Sequence, residues 1–143
     1  MTLLTLISEL NKIALTHPNV RTAGEGNIYD TMNANPSIKY GVFFQTQGTH
    51  TDDEAWDRYN LTLFYIDRLQ FNLENNRLQI QSIGKEVLRN IILTFCNKFD
   101  VEYPTVSYTT FTQKFADECA GAYAQVQLEI PKDITCEEDY IYG

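Results

Sequence analysis

The residues best suited to chemistry in this chain are four clustered carboxylates: Asp52, Asp53, Glu54 and Asp57. Two carboxylates can act as a general acid and base when burial raises the pKa of one of them. These four belong to the stretch "GTHTDDEAWD", which is rich in polar residues, so we expect a solvated loop. The cluster therefore predicts an anionic surface and not a catalytic pair.

The remaining reactive side chains are scattered. His17 and His50 have no Cys, Asp or Glu partner at metal-ligand spacing. Cys96, Cys119 and Cys136 are widely separated and lack CxxC spacing, which favours reduced, buried thiols. The chain also has no nucleophile elbow and no phosphate-binding glycine loop. The sequence therefore predicts a protein that is not an enzyme and holds no metal and no cofactor.

The length and net charge of the chain indicate which classes of protein it can belong to. The 143 residues fit one domain, and the net charge is −8, concentrated in residues 51–74 and 116–143. Such a chain offers no basic surface for gripping nucleic acid. It has no apolar run of about 18 residues and no signal-peptide pattern, so we expect no membrane span and a cytosolic setting.

Two amphipathic helices are predicted. In the first, apolar residues recur at helical spacing from Leu3 to Ala14; Thr2 is its N-cap, and it ends at His17 before Pro18. The second is "NNRLQIQSIGKEVLRNIILTFCNKF". Its Asn and Gln at positions 76 and 79 have capping-box spacing. Its apolar stripe comprises Ile80, Ile83, Val87, Leu88, Ile91, Ile92 and Phe95.

The first half of the sheet is predicted as a hairpin. Residues 20–23 can form a short strand, and residues 24–38 read as a loop. "KYGVFFQTQ" and "WDRYNLTLFYIDRL" are strands joined by a long, acidic, flexible tip. Because the centre of the second strand, from Leu61 to Ile66, is apolar on both faces, we expect it to be covered by the chain's own helices or by another subunit.

The last strand alternates apolar and polar residues from position 120 to 130 and pairs with residues 105–115. Its apolar face begins with Ala120, Ala122 and Ala124 before larger residues follow. Gly84 would leave a notch in the second helix, so these small residues predict a close helix–sheet contact. The fold class is α+β, with a small, mostly antiparallel sheet packed against two helices. We expect residues 1–131 to form a single domain and residues 132–143 to form an acidic C-terminal tail.

The order of these elements, together with "YNLTLFYIDRL", "NRLQIQSIGKEVLRNII" and "FTQKFADECAGAYAQVQLEIP", resembles the tail-completion, tail-terminator and neck-ring proteins of tailed bacteriophages. In detail the sequence is most similar to small ring proteins of gut phages, including the crAss-like group. The resemblance covers roughly residues 3–131, without the loop 24–38. Its motifs are structural patterns and not catalytic signatures.

This resemblance implies a structural virion protein. Copies would form a homo-oligomeric ring at the head–tail junction or tail end, beside other neck, portal or tail proteins, after assembly in the host cytoplasm. DNA would pass through the ring without specific binding. In such a ring we expect the tip to order against a neighbour, with Trp56 as its anchor.

The acidic groups allow two interpretations. They can serve solubility, or the tip cluster or the tail set Glu137, Glu138 and Asp139 can face the channel and repel DNA phosphates. Two other functions also stay open. One is a small ligand-binding or enzymatic domain, which would need polar groups such as Asp67 and Arg68, and perhaps Tyr108, to converge. The other is a monomeric protein-interaction adaptor.

Overall fold

A computed structural model describes residues 1–34, 38–70, 73–115 and 117–132. Its helices are α1 (Leu3–Thr16), α2 (Ile28–Ala34) and α3 (Asn76–Phe99). Its strands are β1 (Thr22–Glu25), β2 (Val42–Gln47), β3 (Thr51–Asp52), β4 (Trp56–Arg68), β5 (Ser107–Lys114) and β6 (Glu118–Pro131). The predicted α+β class is confirmed.

One mixed sheet contains all of these strands, in the order β1-β2-β4-β6-β5, with β3 paired to β4. Only β1 and β2 pair in parallel among the described strands; the other pairs are antiparallel. The longest ladder joins β4 to β6, from Trp56 opposite Pro131 to Arg68 opposite Cys119. The predicted β2–β4 and β5–β6 hairpins are therefore present, and β4 with β6 forms the centre of the sheet.

Helices α1 and α3 cover one face of the sheet. The alternating residues of β6 that face them, from Ala120 to Ile130, are all buried. Thr2 caps α1 by accepting a hydrogen bond from the Thr5 N–H at 3.1 Å, and the helix stops at His17, as predicted. Between the helices, Lys98 Nζ lies 2.8 Å from Oε2 of Glu9, a residue that is only 7% exposed.

The second helix departs from its prediction in two respects. Asn76 and Gln79 form no capping box, because Asn76 Oδ1 accepts a hydrogen bond from the Gln70 N–H; Asn75 precedes the helix with φ 58° and no side-chain cap bond. Ile83 is 41% exposed, because no described element covers that side of α3. The other six residues of the apolar stripe are buried.

The predicted loop at 24–38 is wrong, because it contains the end of β1 and the whole of α2. Asn27 Oδ1 accepts hydrogen bonds from the N–H groups of Tyr29 and Asp30 and thereby caps this helix. Ile28 and Met32, one turn apart, then pack over the second face of the sheet, against Val42, Phe44 and Ile66. The chain's own helices therefore cover β4 on both faces at Ile66.

Candidate assembly surfaces and a polar pocket

The hairpin tip, residues 48–57, is organised by one carboxylate. Asp53 Oδ1 accepts hydrogen bonds from the N–H groups of Ala55 and Trp56, each at 2.9 Å. Asp53 Oδ2 lies 2.8 Å from Nη1 of Arg58. The Arg58 guanidinium, with these two N–H groups, lowers the pKa of Asp53 to about 2. The tip, which the sequence predicts to be flexible, therefore has internal hydrogen bonds of its own.

The other tip carboxylates differ in their surroundings. Asp52 and Asp57 lie directly opposite each other across the β3–β4 pair, an unfavourable arrangement for two like charges. Lys132 reduces this repulsion, because its Nζ forms an ion pair with Asp52 Oδ2 at 2.9 Å. Glu54 is exposed and makes no ion pair within the described part of the chain. Four carboxylates against two cations leave the tip anionic, with Glu54 and Asp57 the least neutralised.

Trp56 lies where the tip joins the sheet. It is partly buried and lines a shallow pocket of about 440 Å³ with Glu102, Tyr103, Pro104 and Gln127. The predicted anchor is thus partly packed against its own chain. The tail carboxylates Glu137, Glu138 and Asp139 lie outside the described residues, so only the tip patch has a known geometry.

A second exposed surface, absent from the sequence predictions, lies where α3 passes over β5. Lys85, Arg89 and Leu93 follow one another at four-residue spacing along one ridge of the helix. Lys85 Nζ lies 5.8 Å from the centre of the Tyr108 ring, and the hydroxyl groups of Tyr108 and Tyr103 are 3.3 Å apart. Burial raises the pKa of Tyr108, and the nearby charges of Arg89 and Glu86 act on that pKa in opposite directions, so this surface carries charges of both signs. Leu93 and Tyr103 are 42% and 40% exposed.

Beyond α2, the second face of the sheet carries a small aromatic cluster. The ring centres of Phe64, Phe111 and Tyr123 are separated by 5.6 to 6.3 Å, and all three side chains are partly exposed. Thr62 and Gln125 continue the same face as uncharged polar groups. This composition is compatible with packing against another protein surface and offers no cations for stacking on nucleic acid.

A polar pocket of about 400 Å³ occupies the end of the sheet opposite the tip. Arg21, Tyr65, Asp67 and Arg68 are among the residues that line it. Burial raises the pKa of Asp67 and raises that of Tyr65 to about 12. The fold thus adds Arg21 and Tyr65 to Asp67 and Arg68, the two neighbouring polar residues singled out in the sequence. Tyr108 lies elsewhere, beneath Lys85 on the surface where α3 passes over β5.

Gly84 and the alanines of β6 have the predicted close arrangement. A Cβ placed on Gly84 would lie 3.1 Å from Cδ2 of Tyr65 and 3.3 Å from the backbone nitrogen of Ala122. Ala120, Ala122 and Ala124 are fully buried. This site is a packing contact and places no reactive group near solvent.

The described ranges contain neither a candidate metal site nor a helix that could span a membrane. They contain no group of three or more His, Cys, Asp or Glu side chains that could hold a metal ion. Among the helices described, none combines the length and hydropathy needed to cross a bilayer. No model of a known protein family matches the chain, and no curated protein shows significant similarity to it.

Proposed function

We propose that this protein is a structural component of a phage virion, which forms a ring around the DNA channel at the neck or tail end. It would complete the tail or join head to tail, and it would act by assembly and not by catalysis. The observation that carries the proposal is the hairpin tip. It is exposed, strongly charged, and held in shape by Asp53 and Arg58 before any partner binds.

A hairpin tip held in one conformation loses less conformational entropy on binding than a mobile loop does. That property suits an element whose role is contact with a neighbouring molecule. The proposal also draws support from the fold that the resemblance implies, because two helices cover one face of a mostly antiparallel sheet. Ring formation would need a second, different surface on each copy, since a heterologous contact closes into a ring on rotation.

The experiment that tests the proposal locates the protein in particles. Mass spectrometry of purified virions of the encoding phage should detect the chain in several copies per particle. Antibody labelling viewed by negative-stain microscopy should mark the neck or the tail end. Absence of the chain from intact virions would contradict the proposal.

Hydrogen exchange supplies a second test, aimed at the tip. Amides of residues 48–57 should exchange more slowly in particles than in the free protein, with Trp56 among those most protected. Residues 3–16 of α1 serve as an internal reference, because their helical hydrogen bonds are present in both states. Equal exchange of the tip in both states would mean that it contacts no neighbour.

The polar pocket favours a second candidate function, the binding of a small ligand. Asp67 is a half-buried carboxyl group in a pocket that also contains Arg21 and Arg68. A ligand with both a cationic and an anionic group would match these charges. A thermal-shift screen of free amino acids and related zwitterions tests this candidate, with Asp67→Asn as the control that should abolish any shift.

A further inference from the structure

Strand β6 extends beyond the strand that pairs with its outer side. β5 pairs with β6 only from Lys114 opposite Glu118 to Ser107 opposite Gln125, whereas β4 pairs with β6 as far as Pro131. Among the described strands, residues 126–131 therefore have a neighbour on one side alone. At about 3.3 Å per residue this open edge is about 20 Å long, which is the length of an ordinary strand.

The backbone of this open edge is free to pair. A strand directs the N–H and C=O groups of alternate residues to opposite sides, so some of those in residues 126–131 point away from β4. Within the described ranges, no backbone hydrogen bond joins these residues to residues 102–105, which line the same pocket. Such groups are satisfied by water or by the backbone of another chain.

The pocket that Trp56 lines, which we call the Trp56 pocket, lies along this edge. Its volume is about 440 Å³, and Gln127 and Glu129 of β6 form part of its lining. Trp56 and Tyr103 contribute two aromatic side chains, of which the first is partly buried and the second is 40% exposed. An open strand edge and two aromatic rings therefore border the same cavity.

The charged residues that line the Trp56 pocket all have one sign. They are Glu102 and Glu129, and both are exposed. Glu102 makes no ion pair with another described residue. Glu129 lies 3.7 Å from Nε of Arg58, whose Nη1 is closer, at 2.8 Å, to Asp53. Three carboxylates against one guanidinium leave the site anionic, and beside aromatic rings such a site fits a Lys or Arg side chain.

The edge strands of a second copy do not match this site. β1 contains Glu25 and no cation, and the one cation of β5 is Lys114, at its last position. The net charge of −8 also opposes the approach of a second copy to an anionic pocket. A different protein with a basic, extended segment fits both the backbone edge and the charge.

We infer that the open edge of β6 binds an extended segment of another protein. The segment adds as a strand beside residues 126–131 and places a Lys or Arg side chain in the Trp56 pocket. Main-chain hydrogen bonds along the edge supply affinity, and the pocket selects the basic side chain. The inference goes beyond the proposed ring function and does not depend on it.

Fluorescence gives a direct test, because Trp56 is the only tryptophan in the chain. The probe is the capped peptide Thr-Val-Thr-Lys-Thr-Val-Thr, which has high strand propensity and one central cation. Adding it to the full chain should change the emission of Trp56 in a saturable manner. The same peptide with Glu in place of Lys should bind at least about fivefold more weakly, because the pocket carboxylates repel it.

The pocket carboxylates are tested by Glu102→Gln with Glu129→Gln, which should weaken binding of the lysine peptide at least about fivefold. Glu74→Gln with Glu86→Gln is the matched control. It removes the same charge at exposed positions outside the pocket and should leave binding unchanged. Thermal melts of each variant check that it is folded. Equal binding by the two double variants would overturn the assignment of the cation to this pocket.

Two N-methylated peptides separate strand addition from simple cation binding. In each of them, one alternate set of amides is methylated and cannot donate. A strand that pairs along one edge uses only one of these sets, so one peptide should lose binding at least about tenfold and the other should keep it. Equal binding by both, or binding of lysine amide as tight as that of the peptide, would overturn strand addition. So would an unchanged Trp56 emission at all peptide concentrations.

Discussion

Gly84 of α3 lies directly against Ala122 of β6, so that a Cβ on the glycine would come within 3.4 Å of the alanine Cβ. A helix normally gains about 1 kcal/mol when alanine replaces an interior glycine. Here the added carbon would also meet the Tyr65 ring and the β6 backbone. The glycine is therefore explained by the short distance between helix and sheet.

The first prediction concerns the size of the residue at position 122. Replacing Ala122 with Leu should destabilise the protein by about 1–3 kcal/mol, because the larger side chain must displace α3 or Tyr65. Gln125→Leu is the control, since that residue is exposed on the same strand. Urea unfolding measures both. An unchanged free energy of unfolding for Ala122→Leu would contradict the packing argument.

The second prediction concerns Gly121. A Cβ at this position would overlap the carbonyl oxygen of Tyr65 and lie 3.2 Å from Cα of Ile66. Both neighbours are backbone atoms of the central strand β4, so they cannot rotate away. Gly121→Ala should therefore cost about 3 kcal/mol or more, near the upper end of overpacking effects.

Gly48→Ala is the matched control for Gly121, because its nearest neighbour is the Asn60 side chain at 3.3 Å. This substitution at an exposed position should cost much less. Equal thermal shifts for the two variants would show that close strand pairing at Gly121 is not the cause.

The third prediction concerns the ion pair between α1 and α3. The hydrogen bond from Lys98 lowers the pKa of Glu9 below its usual value of 4.5. A carboxyl group with a lowered pKa stabilises the fold above its unfolded pKa, and this stabilisation is lost as the pH falls through the folded pKa. Unfolding free energy should therefore decrease between about pH 5 and pH 3.

Lys98→Met should remove about 1–2 kcal/mol at pH 7, less than a fully buried pair because Lys98 is half exposed. It should also flatten the acid dependence. Lys12→Met is the control; Lys12 is 3.6 Å from Glu9 and 62% exposed, so its loss should cost under about 0.5 kcal/mol. Equal losses of unfolding free energy for the two substitutions would show that the Lys98–Glu9 ion pair contributes no more than the Lys12–Glu9 pair.

The fourth prediction concerns the thiols. Burial raises the pKa of Cys96 and of Cys119 to about 11, so both remain protonated and unreactive at pH 8. A Cys136→Ser variant leaves only these two thiols. The folded variant should react slowly with a disulfide reagent. In denaturant, both thiols should react rapidly. Fast labelling of the folded variant would contradict their burial.

Sequence periodicity predicted the elements whose structure depends on local pattern. The alternation along β6 and the helical spacing of α1 are examples, because one buried face is enough to define each of them. Helix α2 was missed because its seven residues lie between Gly26 and Pro36, and Ile28 and Met32 alone form too short an apolar pattern to indicate a buried helical face. So short a helix depends on the sheet beneath it, which no local pattern reveals.

The candidate surfaces required the three-dimensional register. Asp53 pairs with Arg58 because the turn between β3 and β4 brings them together. Arg21 and Asp67 are far apart in the sequence and line the same polar pocket. Lys85 and Arg89 resemble ordinary solvated charges in the sequence. The position of Lys85 over the Tyr108 ring becomes evident only when α3 is placed over β5.

The fifth prediction concerns the internal support of the tip. Asp53→Ala removes the acceptor for the Ala55 and Trp56 N–H groups and the partner of Arg58. Exchange of these two amides should become about tenfold faster or more, because their hydrogen bonds are replaced by contacts with water. Glu54→Ala is the control, since Glu54 makes no ion pair within the described residues and should leave the exchange rates unchanged.

Acid titration of the wild type checks the same contact independently. Because the pKa of Asp53 is lowered to about 2, its support of the tip is complete above the unfolded pKa and is lost only as the pH falls toward 2. The Ala55 and Trp56 amides should therefore remain protected at about pH 4, after correction for the intrinsic pH dependence of exchange. Loss of protection near pH 4 would mean that Arg58 does not hold Asp53 ionised, and the tip would not be preorganised for a neighbouring copy.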